Sequence, residues 1–156
     1  MRILLALSVA IVALQVSGCS RPATAESRSA ERPGWLTDYA QAQAEAKTQQ
    51  KLLLLDFTGS DWCGWCMRLQ REVFETPDFQ EYAQKNLILL ELDFPRGKAL
   101  PPAQAAQNQK LAQQLGIDGF PTIVIMNGEG RILGTLGYTP GGPSAFISEL
   151  KKLHES

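Results

Sequence analysis

The chain has 156 residues, with 15 lysines and arginines against 16 acids and a formal net charge of −1. With no basic patch and no interleaving of aromatic and basic residues, nucleic acid is excluded as a partner. A structural zinc needs four ligands. The single histidine, His154, is remote from the cysteines, so no metal and no other cofactor is expected.

Met1-Arg2 is a minimal basic start, and residues 3–16 are almost wholly apolar. That run is shorter than the roughly 20 residues of a membrane-spanning helix and suits a signal-peptide core. Val16-Ser17-Gly18-Cys19 resembles a bacterial lipobox, in which the cysteine is diacylated and becomes the first residue of the mature chain. Residues 1–18 are then a signal peptide, and acyl chains on Cys19 provide a membrane anchor without a spanning helix. The resemblance implies a periplasm-facing, lipid-anchored protein of the cell envelope. Ser20, in place of the aspartate that signals inner-membrane retention, leans toward the outer membrane. Residues 19–33, rich in Ser, Ala, Pro and charge without an apolar period, read as a flexible tether. The folded domain is expected over residues 34–156.

Thr37 or Asp38 caps a first helix, with Tyr39, Ala42 and Ala46 on one face. Residues 51–57 form an apolar run, the first strong strand. Thr58 to Asp61 are turn and cap residues. A helix is expected over residues 63–74, with Cys66, Leu69 and Val73 at helical spacing. Thr76-Pro77 reads as an N-cap followed by proline at the first helical position, opening a short helix that carries Phe79 and Tyr82. Residues 87–94 are a second strand, and 95–102 an irregular connection. A helix over 103–115 carries Asn108, Leu111, Ala112 and Leu115. Strands over 122–126 and 131–136 flank Asn127-Gly128-Glu129-Gly130, a hairpin signal. A closing helix over 143–154 points Phe146, Leu150 and Leu153 inward. Strands alternating with helices, then a hairpin and a helix, imply an α/β fold with a mixed central sheet and helices on both faces.

Cys63 and Cys66 stand where strand hands over to helix. Cys63 falls at the first turn, where unpaired backbone N–H groups and the helix dipole favour a thiolate. Cys66 lies further in on the same face, within bonding reach. With Cys19 lipidated, these two pair with each other. A purely structural bridge is the alternative, but so small a loop restrains the unfolded chain little. The spacing points to a redox dithiol and thiol–disulfide exchange.

Trp62-Cys63-Gly64-Trp65-Cys66, Asp56-Phe57 on the preceding strand, and Gly119-Phe120-Pro121-Thr122 together resemble the thioredoxin family. Residues 56–66 resemble in particular a signature of bacterial thioredoxin-like envelope proteins. The resemblance implies a thioredoxin fold, a cis Phe120–Pro121 bond beside the dithiol, and catalysis by Cys63 as nucleophile and Cys66 as resolver. Its implied partners are protein substrates with disulfides or thiols and a membrane thiol electron donor. Two departures stand out. The dipeptide between the cysteines is Gly64-Trp65, and the spacer from Asp56 to Cys63 is one residue longer than in thioredoxin.

Thioredoxin also places a lysine near its buried acid, whereas the strand over residues 87–94 offers only acids. Asp56 is therefore expected either to be buried without a cation, with a raised pKa and a proton-shuttling role toward Cys66, or to be a strand-end residue bonded to backbone. Trp62 either shields the dithiol or fills core. Exposed Trp65 suits partner contact, as does Gly64 beside it, and Phe120 and Pro121 wall a substrate groove. Asp61, next to the site, disfavours an extreme thiolate, which leans toward a reductant. The rival is a peptide-binding or chaperone-like module of the same fold in which the dithiol is incidental.

Overall fold

β2, Leu52–Thr58, runs through the middle of the molecule with every residue buried. The computed structural model describes residues 32–154; the expected signal peptide, Cys19 and nearly all of the expected tether lie outside the described residues. A strand covered on both faces has no need of polar alternation, which is why Leu52 to Leu55 form an unbroken apolar run. The sheet has five strands in the order β1-β3-β2-β4-β5. β3, Leu87–Asp93, runs parallel to β2, and β4, Thr122–Met126, runs antiparallel to it on the other side. β5, Ile132–Leu136, completes the hairpin with β4. Asn127 closes its turn by accepting from the backbone N–H groups of Glu129 and Arg131.

Alternation along β2 divides the core. Leu53, Leu55 and Phe57 pack with Ala42 and Ala46 of α1, Tyr39–Gln49, and with Leu111 and Ala112 of α4, Pro102–Gln114. Leu52 and Leu54 pack with Leu69, Val73 and Phe74 on the other face. That face is covered by α2, Gly64–Leu69, by α3, Pro77–Asn86, and by α5, Gly142–His154. The mixed sheet with helices on both faces is thus as the sequence implies. Asp38 is the N-cap of α1, accepting from Gln41 N–H at 2.7 Å. Thr76 caps α3, with Pro77 following.

Two features depart from the sequence reading. The helix expected over residues 63–74 is α-helical only to Leu69 and continues as a π-helical segment, Gln70–Phe74, with Glu75 N–H donating to Gln70 C=O at 2.9 Å. The wider turn buries the adjacent residues Val73 and Phe74 together. Phe74 then meets Trp35, Phe79 and Phe146 at ring-centroid distances of 5.2, 5.0 and 5.6 Å. The second feature is β1, Trp35–Leu36, a two-residue strand pairing parallel with β3 through Leu89 and Leu90. It is too short to carry a period. It holds the entering chain against the α2 face, and Arg32, assigned from sequence to the tether, packs there.

Candidate active site

β2, the central strand, ends at Thr58, and residues 59–62 turn the chain into α2. Cys63 N–H bonds to Gly59 C=O at 2.9 Å, closing the turn. A set of bonds ties this turn to the end of β3 and to the β3–α4 connection. Ser60 donates through both its backbone N–H, at 2.9 Å, and its hydroxyl, at 2.7 Å, to the Asp93 carboxylate. Asp61 accepts from the backbone N–H groups of Arg96 and Gly97. Phe94 N–H donates to Thr58 C=O, and Trp62 Nε1–H to Phe94 C=O, each at 2.8 Å. Asp93 is buried, with Lys98 Nζ at 3.1 Å and Asn108 bonding its carbonyl. The turn and the connection are therefore locked to each other, and the turn cannot shift without breaking buried polar contacts.

Cys63 is the N-cap of α2 and is disulfide-bonded to Cys66, with Cα atoms 5.2 Å apart. Its sulfur accepts from Cys66 N–H at 3.1 Å. A thiolate at that atom would receive the same donor and sit at the positive end of the helix. Both cysteines are buried, Cys66 one turn deeper into the helix. Gly64 and Trp65 between them are exposed.

The surroundings are aromatic. Trp62 is half-buried, edge-on to Phe120 at 5.9 Å. A Cβ on Gly59 would lie 2.5 Å from its indole, so only glycine fits beneath that ring. The Arg96 guanidinium lies over the indole, 3.8 Å from a Trp62 ring centroid. The Phe120–Pro121 bond is cis, as the resemblance implies, and Phe120 also packs on Phe94 at 5.1 Å. Trp65, 56 % exposed, leans on Tyr138 at 5.2 Å. Arg68 lies over both rings, and the Tyr138 hydroxyl donates to Glu72 at 2.6 Å. Tyr138 and Arg96 were not legible as site residues, because each lies in an irregular connection far along the chain from the dithiol. Asp61 accepts from the 96–97 backbone, whose N–H groups hold its pKa below the usual carboxylate value and keep it ionised.

Asp56 shares the sheet face of Leu52 and Leu54, the α2 side, and is buried. The expectation that it lacks a cation is corrected. Arg32 Nη2 donates to Asp56 Oδ2 at 2.7 Å, and Arg32 Nε donates to Glu91. Glu91 stands directly opposite Asp56 in the β2–β3 register. The strand does offer only acids, and the cation comes from before β1. Asp56 Oδ1 has no hydrogen-bond partner. Burial pushes the Asp56 pKa up to about 6, against the attraction of Arg32 and with the help of Glu91 and Asp93. Among the described residues, no three His, Cys, Asp or Glu side chains are grouped to hold a metal ion.

The site thus joins a disulfide-bonded pair at a helix N-terminus, a buried acid on the helix-covered sheet face and a cis-proline loop. The chain matches the thioredoxin-like domain over residues 39–154. It is 38% identical over 113 residues to the disulfide bond reductase DsbH of Chlamydia pneumoniae, covering 72% of this chain and 68% of that one. It is 29% identical over 113 residues to the thioredoxin-related protein DsbJ of the same organism, covering 72% of this chain but 32% of that longer protein. A solved structure of a DsbH oxidoreductase superposes with a TM-score of 0.73 at 35% identity, covering 84% of this chain and 94% of that one. Such homologues imply protein thiols and redox partners as the reacting molecules. The chain belongs to the thioredoxin-like family, and it is a thiol–disulfide oxidoreductase.

Proposed function

We propose that the protein works as a reductant of protein disulfides at the bacterial cell envelope, held there by lipid on Cys19. The observation that carries the chemistry is Cys63 as helix N-cap, its sulfur bonded to Cys66 and accepting the Cys66 N–H. In the reduced protein, the Cys63 thiolate attacks one sulfur of a client disulfide. A mixed disulfide forms, and the other client sulfur leaves as thiolate. Asp56 takes the Cys66 proton, and the Cys66 thiolate attacks Cys63. The Cys63–Cys66 bond closes, and the second client sulfur departs with the electron pair. Two electrons have passed to the client, and a membrane thiol donor must return them. Trp62, Phe120 and Pro121 wall the client groove, while Gly64 and the Trp65–Tyr138 pair offer a contact surface beside it. The direction is supported by the resemblance to a disulfide bond reductase and by a dipeptide, Gly64-Trp65, without the histidine of strongly oxidising relatives.

The reduced full chain is expected to reduce insulin, read as turbidity from the precipitating B chain. A variant lacking both Cys63 and Cys66 is expected to stay at the uncatalysed rate. If parent and double variant instead suppress aggregation equally and neither reduces insulin, the protein is a peptide-binding module. A potential measured against envelope thiol partners decides the direction; a value more oxidising than those of its clients overturns the reductant reading.

The anchor is tested separately. The motivation is the short apolar leader ending at Val16-Ser17-Gly18-Cys19. Mass spectrometry of the native membrane fraction is expected to find a chain beginning at an acylated Cys19, with outer-membrane fractions enriched. Cys19→Ala is expected to give uncleaved precursor or soluble protein. A free thiol at residue 19 in native material would sink the anchor.

A further inference from the structure

The guanidinium of Arg32 is held between two carboxylates and two aromatic rings. It donates to Asp56 and to Glu91 and lies 4.0 Å from a Trp35 ring centroid and 6.0 Å from that of Phe74. Its side chain is 17% exposed, against 3% for Asp56 and 13% for Glu91. A cation sandwiched between carboxylates and aromatic faces is fixed in place rather than sampling solvent. Arg32 precedes the residues matched by the thioredoxin-like domain, which begin at residue 39. The partner of the buried acid is thus supplied by the segment leading into the domain, not by the sheet.

We propose that Arg32 is a positioning residue of the redox site, holding Asp56 ionised on the dithiol side of the sheet, so that the segment entering the domain belongs to the catalytic machinery. The proposal rests on the reading of Asp56 as proton acceptor for Cys66. One carboxylate oxygen, Oδ2, is occupied by Arg32, and the other, Oδ1, is buried without a partner and free to take a proton. The charged groups acting on Asp56 are Arg32 from before β1 and Glu91 and Asp93 from β3. Ile123, its partner on β4, carries no charge. On α2 and its π-helical extension, Arg68 and Glu72 pair with each other at the surface, and Arg71 is exposed. Arg32 is therefore the cation opposing two nearby acids. Burial lowers its own proton affinity, but Asp56 and Glu91 outweigh that and raise its pKa, so it stays charged wherever Asp56 titrates.

The test follows the Asp56 carboxyl carbon by NMR against pH in the oxidised full chain, where the cysteines do not titrate. Arg32→Gln is expected to move the midpoint up by about one to three pH units, the scale of a nearby opposite charge. Arg32→Lys is expected to restore part of that shift. Glu91→Gln is expected to move the midpoint down, since it removes a like charge and leaves Arg32 to Asp56 alone. General destabilisation does not produce shifts of opposite sign, so a weakened fold in Arg32→Gln leaves the Glu91→Gln arm decisive. A midpoint unmoved by Arg32→Gln, or raised by Glu91→Gln, overturns the proposal. In the reduced chain at pH 7, Arg32→Gln is expected to slow resolution of a preformed mixed disulfide, about twofold for a one-unit rise of the Asp56 midpoint from about 6 and about tenfold for a two-unit rise, as the ionised fraction of the base falls, with recovery at higher pH. If the midpoint moves and that rate does not, Arg32 holds Asp56 but has no part in the reaction. If insulin is not reduced at all, the oxidoreductase reading fails while the titration still reports on Arg32.

Discussion

Cys66→Ala is expected to accumulate mixed disulfides with client proteins, seen as high-mass bands on non-reducing gels that collapse with reductant. Cys63→Ala is expected to trap none. Both variants should lose turnover by on the order of 10³-fold or more, as when an enzyme loses its nucleophile. The asymmetry follows from α2. Cys63 precedes the first helical residue, and its sulfur accepts the Cys66 N–H; Cys66 lies inside the helix, one turn deeper, and is buried. A sulfur at the N-cap is stabilised as thiolate, so it attacks first. The deeper sulfur acts only once the client is covalently attached. The reverse trapping pattern would exchange the roles of the two residues.

Asp56→Asn is expected to remove most of a pH dependence of stability that the wild-type protein shows between about pH 4 and 6. The sign follows from proton linkage. The folded-state pKa, about 6, lies above the ordinary 3.8. Between those values the unfolded state holds fewer protons, so stability falls as pH rises. The cost is absent below the unfolded value and fully present above about 6, on the order of 3 kcal/mol. The cause is burial of a carboxylate with one oxygen unpartnered, only partly offset by Arg32. Asparagine keeps the shape without the charge, and Glu91 still holds the guanidinium. Denaturant unfolding of both oxidised proteins at pH 4 and at pH 7.5 measures the difference. Equal pH dependence in the two would show that Asp56 is not the strained acid. The same variant is expected to resolve mixed disulfides more slowly at neutral pH, linking stability lost by burying the acid to its use as a proton acceptor.

The segments legible in the sequence are those with a local physical signature. The Leu52 to Leu55 run marks a strand buried on both faces, and Thr76-Pro77 marks a helix start by its capping hydroxyl and its missing N–H. The Asn127 turn marks the hairpin, and the cysteine spacing at a strand–helix junction marks the chemistry. Each rests on residues within a few positions of one another, so periodicity and turn chemistry suffice. What only the tertiary structure decided depends on distant groups meeting. β1 has two residues and no period, and it exists because β3 offers an open edge. The π-helical turn arises because the core takes both Val73 and Phe74. Ser60 and Asp61 read as turn residues, yet they clamp Asp93 and the 96–97 backbone. Arg32 is 24 residues from Asp56 and 59 from Glu91. In a polar, proline-containing stretch it carries no sign of burial. Its place is set by two acids that the β2–β3 register brings side by side and that need a cation between them once the sheet is covered.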